Sequence, residues 1–317
     1  MGSTQETVTY NTVRALTNDA VIKTVTDNIF MSTPLLKWLK TNQKTGYGGN
    51  QLVAPVEYAR NTSGGSYRGS DLFTTTDIDT ATRAIIGWSD YYQAVTVTGD
   101  DKDFNKGRAS IVNLIDYKLR NGRKSLSYNL TTGLFSDGTG NSSKDLLGLK
   151  AAVDDATNID TYAGITRSTS TWWKSKYTNL ADYISLPAMQ SMYGDLTDNE
   201  DRPDAIITTQ DIWDDIWELY TPIQRSDSEK MSGSYGFRTI SFNGTPIWVD
   251  AQCPAGMMFF LNKNYINLYP LEGYNEPIWT GWKEPVNQDV AVGQFLWKGQ
   301  LLATNCSKLG RIVGITT

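Results

Sequence analysis

An apolar stripe of unusual length limits the folds that this chain can adopt. Between residues 103 and 135, apolar side chains recur at four- and seven-residue steps, which is the spacing of one face of a helix. The stripe consists of Phe104, Ile111, Ile115, Leu119, Leu126, Leu130 and Leu134. A helix of about 30 residues is about 45 Å long, which exceeds the usual span of a compact domain. The sequence therefore predicts one long helix that extends beyond such a domain.

The opposite face of this predicted helix is basic. Its basic residues are Lys102, Lys106, Arg108, Lys118, Arg120, Arg123 and Lys124, and Asp116 is the main acidic residue among them. A charge run of this kind is usually a face turned to solvent, and a surface for acidic partners or nucleic acid is the second interpretation. The net charge of the whole chain is −5, which argues against duplex binding as its main function.

Two strand-prone segments precede this helix and flank a long polar stretch. Residues 51–58 and 84–98 are β-prone, and the last four of them alternate between apolar and polar. Residues 60–83 are dominated by Ser, Thr, Gly and Asp, and they contain too few apolar side chains to anchor the stretch in a core. We predict one long β-hairpin over residues 51–99 with a polar tip that reaches over neighbouring subunits. An ordinary surface loop is the alternative.

The N-terminal 50 residues predict an arm that contains some helix. Pro34 opens a short apolar run that ends at Leu39, and proline is favoured at the first position of a helix. The segment has neither a basic, apolar secretory signal nor any run of about 18 apolar residues that would span a bilayer. We therefore expect synthesis in the cytoplasm, where Cys253 and Cys306 stay reduced and act as small buried hydrophobes.

The chain after the long helix predicts a second region of mixed helix and strand. Residues 172–193 are predicted to be largely helical, with an interruption near Pro187. Residues 195–204 form an acidic loop that lacks the spacing and the glycine of an EF-hand, so a solvated loop is favoured over a calcium site. Residues 205–207 predict a short buried strand.

A helix and several strands are predicted towards the C-terminus. The helix begins at Thr208 or Thr209, carries an apolar stripe and stops at Pro222. A polar loop follows over residues 225–236. Asn243 and Gly244 predict the turn of a β-hairpin, because this dipeptide suits the turn whose twist matches the flanking strands. Further strands are predicted at 257–261, at 265–269 and within 290–315.

The absence of histidine narrows the enzyme classes. It removes Ser-His-Asp and Cys-His nucleophilic systems, His-ligated zinc and the commonest general base near neutral pH. The two cysteines cannot complete a tetrahedral structural zinc site. A carbohydrate-active or carbohydrate-binding protein remains the main alternative, because glycoside hydrolysis needs only a carboxylate pair. Glu272 and Glu276, near Tyr274 and Trp279, are the candidate pair, and surface acids on a loop are the plainer interpretation.

The order of these elements resembles the major capsid proteins of tailed bacteriophages, which have the Hong Kong 97 fold. A polar-tipped hairpin, a lone long helix, a helix-strand-helix unit and a run of C-terminal strands follow one another in that family. The segment from Phe242 to Asp250, with the sequence FNGTPIWVD, is similar to a strand-turn-strand segment of the family's axial domain. The similarity continues through Cys253-Pro254-Ala255-Gly256 to the strand that ends at Leu261-Asn262.

The resemblance implies an α+β fold with a defined division of the chain. The parts would be an N-arm (1–50), an extended E-loop hairpin (51–99), a long spine helix with the peripheral domain (100–203), an axial domain (204–280) and C-terminal strands that return to the peripheral domain (281–317). It implies a structural subunit without catalytic, cofactor-binding or metal-binding residues. Hexamers and pentamers would close an icosahedral shell around packaged phage DNA.

The resemblance also implies partners and a location. Besides copies of itself, the chain would meet a portal and packaged DNA in a virion assembled in the bacterial cytoplasm, with no membrane, and a decoration protein in shells that carry one. No large helical segment precedes the arm, so we expect a separate scaffolding protein. Residues 45–101 contain no lysine, so the lysine-to-asparagine cross-link that some relatives form from the E-loop is not expected here.

Overall fold

The computed structural model describes residues 33–73, 75–104, 114–224 and 240–317. The predicted polar loop over 225–236, most of the predicted arm, and residues 105–113 of the predicted long helix lie outside the described residues. The described α-helices with regular right-handed geometry are α1 (Pro34–Thr41), α2 (Gly99–Phe104), α3 (Leu114–Leu134), α4 (Leu149–Ala152), α5 (Leu186–Leu196) and α6 (Gln210–Gln224). Among them, none is both long enough and apolar enough to cross a membrane.

The described strands form two larger sheets and two small hairpins. The six-stranded sheet has the order β6 (Lys176–Tyr183), β14 (Gly310–Thr316), β10 (Met258–Leu261), β7 (Ala205–Thr208), β9 (Thr245–Val249), β8 (Ser241–Phe242). In the four-stranded sheet, β13 (Val290–Ala303) pairs with β3 (Ser89–Thr98), β11 (Ile266–Pro270) and β12 (Ile278–Trp279). The small hairpins are β1 (Gln51–Glu57) with β2 (Ala81–Gly87), and β4 (Thr161–Tyr162) with β5 (Ile165–Thr166).

The six-stranded sheet separates two hydrophobic cores. Its central strands are buried on both faces, so neighbouring side chains enter different cores. Ile207 and Phe259 face the larger core, which α1, α3 and the four-stranded sheet also build. Ile206 and Phe260 face the smaller core beneath α5 and α6. This arrangement explains the continuous apolar runs of β7 and β10, which a half-exposed strand would not need.

The long helix is confirmed over its described part. Helix α3 has 21 residues and is therefore about 30 Å long. Leu126, Leu130 and Leu134 are buried in the larger core, as the stripe predicts. Ile115 continues the same stripe but is 39% exposed, because nothing in the described part of the chain covers that end of the helix.

The predicted hairpin over residues 51–99 is wrong in its second strand. β2 ends at Gly87, and its partner β1 pairs with it through the register Gln51↔Gly87 to Glu57↔Ala81. Ser89–Thr98 forms the separate strand β3, which pairs with β13 some 200 residues later. Local β-propensity cannot distinguish a long strand from two strands in different sheets, since pairing is decided by distant residues.

Two helix predictions also need correction. Residues 176–183, predicted as helix, form the edge strand β6, because β14 offers them a parallel partner. Helix α5 begins at Leu186, so Pro187 lies in its first turn, where a missing N–H costs no hydrogen bond, and does not interrupt it. Helix α6 continues to Gln224, two residues past the predicted stop at Pro222. Proline costs the helix a hydrogen bond, but its fixed φ of about −65° lies in the helical range.

The predicted turn at Asn243-Gly244 and the predicted strands near it are confirmed. Asn243 has φ 48° and Gly244 has φ 84°, the pair of positive φ values that a type I′ hairpin turn requires. The turn joins β8 to β9 in antiparallel register. β7, β10 and β11 lie where buried or alternating strands were predicted, and β13 and β14 occupy the segment within 290–315.

Helix α1 is fastened to the end of β9 by a buried carboxylate. The predicted helix at Pro34 is confirmed, with proline in its first turn. Asp250 Oδ2 accepts a hydrogen bond from the backbone N–H of Leu35 at 3.2 Å, and Oδ1 accepts one from the N–H of Gln252 at 3.0 Å. Asp250 is fully buried, and burial raises the pKa of its carboxyl group despite these hydrogen bonds.

We expect Asp250→Ala to lower the free energy of unfolding by about 1–3 kcal/mol, because two buried N–H groups lose their acceptor. Asp250→Asn keeps one amide oxygen and is expected to lose less. Equilibrium unfolding in urea measures both variants. Equal stability of Asp250→Ala and the wild type would contradict this role of the carboxylate.

A buried polar network lies where the strand β14 meets α4. The Arg167 guanidinium is fully buried and donates to the carbonyl oxygens of Ala151 and Ala152 at the end of α4. Arg311, on β14, forms an ion pair with Asp154, and both side chains are almost completely buried. Asp154 also accepts hydrogen bonds from the backbone N–H groups of the turn that follows α4. The network therefore holds this turn against the six-stranded sheet.

Candidate assembly surface

The base of the β1–β2 hairpin is anchored in the larger core. Val56, Ala84 and Ile86 are buried there. The N–H of Ile85 donates to the carbonyl of Ala163 at 2.8 Å, which ties β2 to the β4–β5 hairpin. Tyr58 stacks on Trp172 with ring centroids 5.4 Å apart. The base is thus part of the folded body.

Beyond this base, the chain is exposed and has neither helix nor strand. We call residues 59–80, apart from Thr74, the hairpin extension. Its described hydrogen bonds are local, such as Ser63 Oγ to the Thr76 carbonyl at 2.8 Å and Arg68 N–H to Asp71 Oδ2 at 2.8 Å. The extension is therefore ordered by the hairpin base and by its own turns.

Three large apolar side chains lie exposed on the extension. Leu72 is 99% exposed, Phe73 is 68% exposed and Tyr67 is 66% exposed, and Tyr67 packs edge-on against Phe73 at 5.0 Å. We call these three residues the tip patch. Burying such a side chain typically contributes about 1.5–3 kcal/mol, so an unburied cluster favours association.

The sequence prediction of a polar tip missed this patch. Leu72 and Phe73 are adjacent apolar residues inside a stretch of Ser, Thr, Gly and Asp. This contrast between two apolar residues and their polar neighbours could have identified the patch. Composition averaged over residues 60–83 hid it.

The basic face of the long helix is partly neutralised within the chain. Lys118 Nζ lies 2.7 Å from Asp101 Oδ2, and this hydrogen bond is the largest cause of the lowered pKa of the Asp101 carboxyl. Arg123 contacts Glu276 Oε2 at 3.2 Å, and Lys40 contacts the other oxygen at 3.0 Å. Lys118 and Arg123, which were predicted to face solvent or nucleic acid, are therefore paired with carboxylates of the same chain.

The carboxylates proposed for sugar chemistry do not have the properties of a catalytic pair. Desolvation tends to raise the pKa of Glu276, but hydrogen bonds and charge from Lys40 and Arg123 outweigh it and lower the pKa. A general acid in a glycosidase needs the opposite shift. Glu272 is exposed, and its N–H donates to the carbonyl of Gly46.

Two carboxylates of the acidic loop over residues 195–204 bind other side chains of the same chain. Tyr265 donates to Asp201 Oδ2 at 2.5 Å, and this hydrogen bond, with burial, raises the pKa of Tyr265 to about 12. Asn262 donates to the other oxygen of Asp201 at 2.7 Å, and Lys308 pairs with Asp198 at 3.1 Å. In the described part of the chain, no group of acidic, Cys or His residues is arranged to hold a metal ion.

The two cysteines are buried, as predicted. Both are unpaired thiols in the larger core. Burial raises the pKa of Cys306 to about 12 and raises that of Cys253 still further above its ordinary value. A thiol with so high a pKa is a poor nucleophile near neutral pH.

Comparisons with known proteins identify the fold. No protein-family model matches the sequence, and no curated protein matches it. A chain of the Cyanophage A-1(L) capsid asymmetric unit is 17% identical, with a TM-score of 0.75, over 97% of this chain and 99% of that chain. The capsid of the native GTA particle is 10% identical, with a TM-score of 0.67, over 95% and 96%.

A third similar structure is that of an encapsulin and not of a phage capsid. The encapsulin of the holo-SrpI complex from Synechococcus elongatus is 11% identical, with a TM-score of 0.62, over 96% of this chain and 95% of that chain. In all three comparisons the match extends over nearly the full length of both chains. The chain therefore has the Hong Kong 97-type capsid fold of the tailed phages, the α+β fold that its sequence predicted.

Proposed function

We propose that this chain is the major capsid protein of a tailed phage, a non-enzymatic subunit that assembles with copies of itself into a closed shell. The observation that carries the proposal is the extent of the structural match. The structural match covers 97% of this chain and 99% of the cyanophage capsid chain. A subunit that matches a capsid chain from end to end has the parts needed for the same kind of assembly.

We propose the following parts for this subunit. The arm comprises residues 1–50, and the E-loop comprises β1, the hairpin extension and β2, with β3 assigned to the body. The spine is α3 together with the residues before it. The peripheral domain is built on the larger core and the axial domain on the smaller one, and β14 belongs to the sheet between them.

The proposed partners follow from a shell of this type. Hexamers and pentamers of the chain would enclose phage DNA in a virion, with a portal and a separate scaffolding protein, and with a decoration protein in shells that carry one. Residues 45–101 contain no lysine, so the E-loop cannot supply one for a covalent cross-link. Noncovalent contacts between arms and hairpins would hold the shell together.

Purification with and without the co-expressed scaffolding protein tests the proposal. Sedimentation and electron microscopy should reveal capsomers, tubes or shells. Nuclease-protected DNA in particles from infected cells would separate a virion from a protein-filled compartment. A chain that remains a monomer under every condition, together with sugar hydrolysis abolished by Glu272→Gln, would overturn the proposal.

A further inference from the structure

A cleft of about 510 Å³ opens beside the last turns of α3. Its walls come from the start of β3, the end of α3 and the turn after β9, and the loop that follows α3 forms its rim. Small-molecule sites in proteins are concave surfaces of about 300–1,000 Å³ with a few fixed polar groups. The cleft is therefore large enough to bind a small molecule, and no residue of the hairpin extension lines it.

An exposed aromatic ring forms one wall of the cleft. Tyr92, on β3, is 67% exposed and belongs to neither hydrophobic core. Tyrosine combines an apolar ring with a polar hydroxyl group, so the ring can pack on the C–H groups of a ligand while the hydroxyl stays hydrated. The ring is thus available to a ligand without any change in the packing of the fold.

Two amide side chains in the cleft are held in defined orientations. Asn129 donates from Nδ2 to Gln93 Oε1 at 3.3 Å, and its Oδ1 has no partner in the described part of the chain. Gln252 Oε1 accepts a hydrogen bond from the Thr132 hydroxyl at 3.0 Å, which leaves its NH₂ group without a partner among the described residues. The backbone N–H of Gln252 is also bound to the buried Asp250. The cleft therefore presents one fixed acceptor and one fixed donor.

The charges around the cleft balance. The charged residues of its lining are Lys144, Lys150, Asp90 and Asp145. Just outside the lining, Lys298 pairs with Asp90 at 3.1 Å, and Asp137 lies within electrostatic reach of Lys150. Three cations and three carboxylates give no net charge. An anionic ligand would need an excess of basic groups, so this balance favours a neutral ligand.

A neutral saccharide has the properties that this lining requires. A sugar ring has an apolar C–H face, which suits the ring of Tyr92, and a rim of hydroxyl groups. Each hydroxyl both donates and accepts hydrogen bonds, so it can pair with an amide oxygen, an amide NH₂ group, an ammonium group or a carboxylate. A lining that mixes donors and acceptors around one aromatic wall therefore fits a sugar.

We propose that the cleft binds a neutral saccharide, with Tyr92 packed on the sugar ring and with Asn129 and Gln252 bound to its hydroxyl groups. The inference goes beyond the proposed shell function and does not depend on it. Neither Glu272 nor Glu276 lines the cleft, so it concerns binding and not hydrolysis. In an assembly of many copies the site would be repeated, and repeated weak sites hold a polysaccharide far more tightly than one site does.

Saturation-transfer NMR of the purified chain tests the site with maltose, lactose and cellobiose as probes. At least one of these sugars should bind at millimolar concentrations. Tyr92→Ala should raise the Kd of that sugar at least about tenfold, because the ring supplies the apolar contact. The control is Tyr183→Ala, which removes a similarly exposed aromatic side chain (62%) from the edge strand β6 and should leave the Kd unchanged.

A second variant tests the polar half of the site. Gln252→Glu keeps the oxygen that accepts from Thr132 but replaces the NH₂ donor by an acceptor, so the Kd should rise about tenfold. Absence of binding by all three sugars would overturn the inference, as would a Kd that Tyr92→Ala leaves unchanged. Tighter binding of inorganic phosphate or adenosine at this cleft would also overturn it, because the site would then suit another class of ligand.

Nitration of the wild-type chain by tetranitromethane locates the bound sugar without any substitution. At a sugar concentration of about three times Kd, about three quarters of the sites are occupied, so Tyr92 should be nitrated about fourfold more slowly. Tyr183 provides the internal control, since it is exposed and distant in the sequence from every residue of the cleft lining. Mass spectrometry of the peptides measures both rates. Equal nitration of Tyr92 with and without the bound sugar would contradict its place in the site.

Discussion

Replacing Asp154 with alanine is expected to lower the free energy of unfolding by about 3–5 kcal/mol, the usual cost of removing one partner from a buried ion pair. The side chain of Asp154 is fully buried, and that of its partner Arg311 is 3% exposed. The variant leaves the Arg311 guanidinium without its counter-charge. It also leaves the N–H groups of Ala156, Asn158 and Ile159 without their acceptor.

The same carboxylate predicts a loss of stability in acid. Burial tends to raise the pKa of Asp154, but hydrogen bonds from Asn158 and Ile159 and the charge of Arg311 outweigh it, so the folded pKa is lowered. A lowered folded pKa contributes stability above the unfolded value of about 3.9 and loses it as the pH falls through the folded pKa. This part of the acid sensitivity should be absent from Asp154→Ala.

An exposed pair provides the control. Lys308 and Asp198 are 3.1 Å apart, but Asp198 is 67% exposed, so Asp198→Ala should cost at most about 1 kcal/mol. Unfolding in urea at neutral pH and near pH 3 compares the two variants with the wild type. A loss in Asp154→Ala no larger than that of Asp198→Ala would show that the buried pair does not stabilise the fold.

Removing the hairpin extension is expected to abolish assembly and to leave the subunit folded. The variant deletes residues 61–79 and carries Ala59→Asn and Arg60→Gly, so that an Asn-Gly turn joins Tyr58 to Thr80. This join is suitable because the N–H of Tyr58 already donates to the carbonyl of Thr80 at 2.9 Å, and Asn-Gly favours two-residue hairpin turns. The deletion removes the whole tip patch and no residue of either core.

Sedimentation measures the effect of the deletion. The fraction of chain in particles should fall at least about tenfold, because the deletion removes apolar side chains that are exposed in the free subunit. Circular dichroism and the unfolding midpoint of the free subunit should match those of the wild type. Normal particles from the deletion variant would contradict the assignment of this segment to subunit contacts.

The parts of the fold that the sequence predicted are those decided by local pattern. Leu126, Leu130 and Leu134 recur at helical spacing, and all three are buried on α3. Asn243 and Gly244 require positive φ values and adopt them. In each case, residues that are close together in the sequence determine the local structure.

The parts that the sequence did not predict depend on distant residues. β6 has no local feature that separates it from a helix, and its pairing with β14 joins residues about 130 positions apart. β3 likewise pairs with β13 about 200 positions later. Ile115 lies on the apolar stripe of its helix but is exposed. The spacing of apolar residues identifies the apolar face of a helix, but it does not identify the residues that cover that face.

The sequence predicted the position of the candidate assembly surface, but it did not predict the apolar character of that surface. The unusual length of the polar stretch located it, since a segment of this length has little use inside a single domain. The apolar character of Leu72 and Phe73 emerged only when their exposure was known.

Native mass spectrometry of the purified protein tests the central claim, that this chain is a shell subunit, most directly. The measurement counts copies of the 35.3 kDa chain in each species. We expect rings of five and six copies, alone or as products of disassembled particles. A single species of one copy at every concentration and salt, with or without a scaffolding protein, would contradict the account.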